Sequence, residues 1–182
     1  SIEQAQASGA ASAKLLLPYR PDRAEHAAAQ EQVARRITQG CRSVGFPIAL
    51  EPLFYDLAPS DDRAAIVVET ARRFAAIGPD LLKLPYPGTA DACAEVTSIA
   101  ATAGRSGVGS TPIPWAMLSG GGTFDDFADR FAIASAAGCS GFMVGRALWG
   151  ECVAARPEER PTLMREQVRP RFEQLVAITV NT

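Results

Sequence analysis

Five short apolar runs recur along this chain at an almost constant interval, and that interval restricts the fold more than any other feature. The runs cover residues 14–19, 47–53, 80–85, 113–119 and 140–144, so the units repeat at about 33, 33, 33 and 27 residues. Each is rich in Leu, Ile, Val or aromatic residues and bounded by Gly or Pro, the signature of a strand. Between them lie Ala-rich stretches, 22–39, 61–77, 90–103 and 124–137, whose apolar residues fall three and four apart as on an amphipathic helix. A last helix is expected over 161–178, kinked or divided by Pro170, which lacks the amide proton for an intrahelical bond. Ser60 before Asp61 and Asp62, and Thr123 before Asp125 and Asp126, read as helix starts. Gly40, Gly78, Gly104 and Gly138 stand where helices are expected to end.

Strands separated by a helix of this length run parallel, with right-handed crossovers. Nearly continuous apolar strands such as Ile48-Ala49-Leu50 and Phe142-Met143-Val144 fit burial on both faces. Two α/β architectures satisfy the pattern: a five-stranded doubly wound sheet, or part of an eight-stranded (β/α)8 barrel. A complete barrel takes about 250 residues, so the barrel reading requires the 182 residues here to be part of one.

Composition removes other classes. Eighteen basic against twenty acidic residues give a net charge of -2, which argues against a nucleic-acid or anionic-membrane partner. The run of about twenty apolar residues that a membrane span needs is missing, and Ser1-Ile2-Glu3 opens no signal-peptide pattern. Cys41, Cys93, Cys139 and Cys152 form no CxxC pair and have only His26 beside them, so no zinc-ligand spacing exists. They read as reduced, buried thiols of a cytoplasmic protein. His26 reads as an exposed helix residue, and Trp115 and Trp149 as packing around the strand ends.

In either architecture the functional face lies at the carboxyl ends of the strands, and the informative polar residues fall on these strands or at those ends. Of eighteen basic residues only Lys14 and Lys83 are lysines, and both sit inside apolar runs. A desolvated amine sheds its proton more readily and can form a Schiff base with a carbonyl substrate. Lys83, between Leu82 and Leu84 of a central strand, is the candidate nucleophile; its structural alternative is a lysine that pairs with a carboxylate or reaches solvent at the strand end. Glu51, in Ile48-Ala49-Leu50-Glu51-Pro52-Leu53, is the natural acid/base partner or the other half of an ion pair. Lys14 then tunes the site by its charge or holds a substrate oxygen. Tyr55 and Asp56 follow at the rim, where either can orient a sugar hydroxyl.

Ser119-Gly120-Gly121-Gly122 opens a helix at Thr123, so that backbone amides and the positive helix end form a cradle for an anion. Gly145 and Arg146, on the end of the next strand, can add a guanidinium fork to the same phosphate.

Together these residues resemble the class I aldolases of the tagatose 1,6-bisphosphate aldolase and sulfofructosephosphate aldolase group. The similarity runs through Ala13-Lys14-Leu15-Leu16-Leu17, Leu50-Glu51-Pro52-Leu53, Asp80-Leu81-Leu82-Lys83-Leu84, Pro114-Trp115-Ala116-Met117-Leu118-Ser119-Gly120-Gly121 and the segment from Ala137 to Trp149. The resemblance implies a (β/α)8 barrel, with Lys83 as the Schiff-base lysine, Glu51 as acid/base and Lys14 as a nearby active-site lysine. It also implies that Ser119, Gly120 and Arg146 meet a substrate phosphate, and that neither metal nor cofactor is needed. Residues 1–182 then form a single barrel domain whose first strand is the fourth of the family, the first three being supplied by an upstream segment or a partner chain. Pro85-Tyr86-Pro87-Gly88 is shorter and richer in proline than the family loop, which leaves the sugar open. Two other readings compete: a sugar-phosphate binding or regulatory module without turnover, and a stand-alone five-stranded α/β domain in which Lys83 is structural.

Overall fold

The computed structural model describes residues 2–106 and 111–180. Its centre is one sheet of five parallel strands, β1 (Ala13–Pro18), β2 (Ile48–Leu53), β3 (Leu81–Pro85), β4 (Trp115–Leu118) and β5 (Gly141–Met143), arranged in the order in which they occur in the chain. That order decides between the two architectures. A doubly wound sheet reverses direction at a switch point and carries helices on both faces. Unbroken sequential order with right-handed crossovers keeps every connecting helix on one face, as in a (β/α) barrel. The chain therefore has a partial (β/α)8-barrel fold of five successive βα units.

The helices are α1 (Ile2–Ala7), α2 (Ala24–Ser43), α3 (Arg63–Ala75), α4 (Ala90–Ser106), α5 (Phe124–Ala136), α6 (Arg146–Ala154), α7 (Arg160–Leu163) and α8 (Arg169–Val180). Strand residues alternate between the two sheet faces, and the helix-facing set holds the core. Leu17, Ile48, Leu50, Leu82, Leu84, Trp115 and Met117 are buried against Ala27, Ala34, Val67, Phe74, Val96 and Phe131 of the helices. Trp115 donates from its indole Nε1 to Thr97 Oγ1 at 2.9 Å, so the buried indole keeps its hydrogen bond. All four cysteines are free and buried, and His26 is exposed as expected. Among the described residues, no helix is long and apolar enough to cross a membrane.

Several boundaries differ from the sequence expectations, each for a local reason. Helix α3 starts at Arg63 because Asp62, rather than Ser60, caps it, accepting from the Ala65 amide at 3.0 Å. Gly40 and Gly104 lie within α2 and α4 instead of ending them. A Cβ on Gly40 would come 3.1 Å from Ile2 Cδ1, so this glycine marks where α1 crosses α2 rather than a stop. The last helix is indeed divided, by a π turn at Met164–Val168 just before Pro170. Strand β5 is half-buried, not covered on both faces; it is an edge strand whose one ladder partner among the described residues is β4. Trp149 lies over Gly145 but remains 38% exposed, so it packs less than expected.

Candidate active site

The ladder register brings the three unusual charges to one surface. Lys14 pairs with Ala49 and Leu16 with Glu51; Ala49 pairs with Leu81; Lys83 pairs with Ala116. Paired residues share a face, so Lys14, Glu51 and Lys83 all project from the side away from the helices, toward what is the interior in a closed barrel. Glu51 lies between the two lysines. Lys14 Nζ donates to its Oε2 and Lys83 Nζ lies against its Oε1, both at 2.6 Å. The side chains are 5% exposed for Glu51, 16% for Lys83 and 48% for Lys14, the last because β1 is an edge strand. A lone carboxylate at such a depth is costly. Burial by itself would push the Glu51 carboxyl up, but its hydrogen bonds and charge contacts with Lys14 and Lys83 outweigh burial and hold it below the ordinary carboxylate value.

Glu51 and Lys83 open into a cavity of about 450 Å³ at the carboxyl ends of the strands. Its other walls are Leu53 to Tyr55 at the end of β2, residues 118–121 at the end of β4, and Met143 to Arg146 at the end of β5. The expected residues Tyr55, Ser119, Gly120, Gly121, Gly145 and Arg146 thus surround the same space as Glu51 and Lys83. Lys14 reaches Glu51 but is not a wall residue. Asp56 does not line this cavity; it pairs with Arg23, with Arg20 at 3.8 Å.

The 119–122 loop has the geometry of an anion cradle. Gly120 and Gly121 sit at φ of +61° and +89°, where a side chain would be strained although a Cβ would meet no backbone. Thr123 caps α5, its Oγ1 accepting from the Asp126 amide at 3.2 Å and donating to Asp126 Oδ2 at 2.8 Å. Arg146 is the first residue of α6, not the end of β5, and is exposed with no carboxylate within 4 Å among the described residues. Its guanidinium is free for a ligand.

Sequence reasoning missed the clamp that fixes the rim beside Glu51. Arg20, 7% exposed, donates from Nε and Nη2 to both oxygens of Asp22 at 2.9 and 2.6 Å. Its Nη1 donates to Asp61 Oδ2 at 2.9 Å and to the Asp56 carbonyl at 3.2 Å. One guanidinium thus ties the loop after β1 to the loop after β2, which carries Tyr55. The Arg20-Pro21-Asp22 triplet at a strand end was the available signal, but Asp56 and Asp61 are distant in sequence. Arg20→Lys keeps the charge but cannot make the fork. It is expected to speed amide exchange over residues 56–61 roughly tenfold, the change from losing one charge-assisted bond; unchanged exchange would show that the loops hold without Arg20.

Comparison with known proteins agrees with the architecture. Residues 1–151 match the family described as DeoC/LacD family aldolase. The chain is 32% identical over 193 aligned residues to tagatose 1,6-diphosphate aldolase 2 of Streptococcus pyogenes, covering 93% of this chain and 58% of that protein. The enzyme of the same name from Streptococcus mutans is 30% identical with the same coverage. The chain spans little more than half the length of these curated relatives. An archaeal fructose-1,6-bisphosphate aldolase, solved with its catalytic Lys covalently bound to the carbinolamine intermediate of the substrate, matches with a TM-score of 0.67 at 19% identity, over 96% of this chain and 62% of that one. Fructose-bisphosphate aldolase of Plasmodium falciparum matches with a TM-score of 0.71 at 17% identity, over 98% and 59%. At these identities the structural likeness concerns the fold. With the family match over residues 1–151 and 32% identity to a curated aldolase across 93% of its length, this chain belongs to the DeoC/LacD aldolase family.

Proposed function

We propose that this chain carries the Schiff-base machinery of a class I aldolase that cleaves or forms a carbon–carbon bond in a ketose phosphate. The observation that carries this reading is the Lys83–Glu51–Lys14 arrangement, with both lysine Nζ atoms 2.6 Å from one buried carboxylate at the wall of a strand-end cavity. Lys83 Nζ gives a proton to Glu51 and adds to the substrate ketone carbon; the carbonyl electron pair moves to oxygen, which takes the surplus proton of the now cationic nitrogen to give a neutral carbinolamine. Glu51 returns a proton to that hydroxyl, which leaves as water, and a protonated imine remains. Removal of the proton from the hydroxyl two carbons from the imine carbon then breaks the intervening carbon–carbon bond. Its electron pair enters the imine to give an enamine, and an aldehyde leaves. Protonation of the enamine and hydrolysis return the ketone phosphate and free Lys83. Lys14, bound to the second oxygen, orients the Glu51 carboxyl while its first oxygen takes and returns the proton, and favours its ionised form between turnovers. Ser119, Gly120, Gly121 and Arg146 hold the phosphate, and Tyr55, at the cavity mouth, orients a hydroxyl.

The reading includes closure of the barrel. The outer sides of β1 and β5 carry no ladder partner among the described residues, and Leu16 and Lys14 remain open on the inner surface. Three further βα units, from the same polypeptide or from a partner subunit, would cover them. The four free thiols support assignment to the cytoplasm.

The test is borohydride reduction of the native protein with dihydroxyacetone phosphate and with ketose phosphates, followed by peptide mass mapping. With two lysines in this sequence, the map separates them cleanly. The expected result is a reduced adduct on Lys83 and none on Lys14. A folded protein that binds the phosphate ester but yields no adduct would overturn the proposal in favour of a binding module.

A further inference from the structure

Behind the 119–122 loop lies a second cavity, of about 300 Å³, and Ser119, Gly120 and Gly121 line both cavities. The loop is therefore a shared wall. Across the second cavity stand Arg63, the first residue of α3, and Arg130 on α5. Both are exposed, and among the described residues neither has a carboxylate within 4 Å. Arg20, Arg23, Arg72, Arg73 and Arg171, by contrast, all lie against carboxylates. Asp126 also lines the cavity, but its carboxylate accepts from the Thr123 hydroxyl at 2.8 Å and not from Arg130 one turn away. Arg63 is held in position by its Nε, which donates to the Tyr86 carbonyl at 2.9 Å, while its terminal nitrogens have no hydrogen-bond partner among the described residues. Partial desolvation and the neighbouring charge of Arg130 both draw Arg63 below the ordinary guanidinium value. Two guanidinium groups that repel across a concave space, one of them pre-positioned, match the paired oxygens of a phosphoryl group.

We propose that this cavity is a second anion site, for a phosphoryl group held between Arg63 and Arg130. The site stands on its own geometry; only its link to the substrate pocket, through the shared loop, rests on the function proposed above. An occupant would steady residues 119–122 from behind, so that the cradle facing Lys83 is already ordered when substrate phosphate arrives.

Inorganic phosphate is the probe, titrated calorimetrically into the native protein at about 0.15 M salt, where diffuse attraction is screened. Two binding events are expected, and Arg63→Ala and Arg130→Ala should each weaken one of them by about tenfold or more, with the other unchanged. Arg130→Lys, which keeps the charge and the fold, should weaken it less. Protein first reduced with dihydroxyacetone phosphate should keep only the event that depends on Arg63 and Arg130. If a ketose bisphosphate abolishes that event while dihydroxyacetone phosphate does not, the occupant is the distal phosphate of the substrate; if neither does, it is a separate phosphate. Either supports the site. Phosphate binding that is identical in the Arg63→Ala/Arg130→Ala double variant, or that disappears at this salt concentration, would overturn it. Because the phosphate titrations of the unreduced protein and its Arg variants do not depend on imine formation, failure of borohydride trapping and failure of the second site are separate results.

Discussion

Lys83→Met is expected to abolish borohydride trapping and to slow carbon–carbon cleavage by about 10⁴-fold or more, since Lys14, the other amine at Glu51, does not line the cavity and is not placed to supply the covalent electron sink. Methionine has nearly the length and flexibility of lysine without its charge, so the inner face of β3 stays filled. The substitution removes one of the two ammonium groups at Glu51, but Lys14 Nζ still donates to Oε2 at 2.6 Å and keeps the carboxylate paired. Stability should therefore fall less than it would if a buried ion were left alone. Single-turnover kinetics with equilibrium unfolding checks both halves. Lys14→Met is the control: it should retain the Lys83 adduct. An adduct that appeared on Lys14 in the Lys83→Met protein, with cleavage retained, would exchange the two roles.

The reach of sequence reasoning depended on whether the relevant signal was local. The repeat of about 33 residues exposed every strand and each of the four connecting helices, because amphipathic spacing and punctuation are read within one window. It could not order the strands. Sequential pairing, which selects the barrel, is a long-range fact. The charges at Lys14, Glu51 and Lys83 stood out because an ion in an apolar run needs a reason. That they meet follows only from register, since a slip of one residue between β1 and β2 would have turned Glu51 to the helices. Helix α1 was missed because it has six residues and buries none of them, and α6 because it is only weakly amphipathic and carries Gly150. The Arg20 clamp and the Arg63–Arg130 cavity join residues 36 or more positions apart, and no local pattern announces such pairs. Gly40 and Gly104 misled for the opposite reason: glycine ends helices when it adopts positive φ, and neither does.

Glu51→Gln should produce the largest combined effect, because one carboxylate both moves protons and neutralises two cations. Glutamine keeps the shape, but it can offer one acceptor oxygen where two ammonium groups need one each. Cleavage should slow by about 10²- to 10⁴-fold, the usual share of a positioned acid/base. Imine formation should slow with it, since Lys83 then lacks the group that takes its proton. Removing one partner of a buried ion pair costs about 3–5 kcal/mol; the lower end applies here, because Lys14 is 48% exposed and can turn to water. The pH dependence separates this electrostatic cost from lost packing. The Glu51 carboxyl titrates lower in the folded chain than its ordinary value of 4.5, so its stabilisation is complete above that pH and is lost as the pH falls through the folded value. Denaturant unfolding of both proteins across this range should show a constant gap near neutrality that narrows below about pH 4.5 as the wild-type carboxylate is protonated. A gap that stays the same into acid would mean that glutamine fails by shape alone, and that the two lysines do not depend on the charge of Glu51.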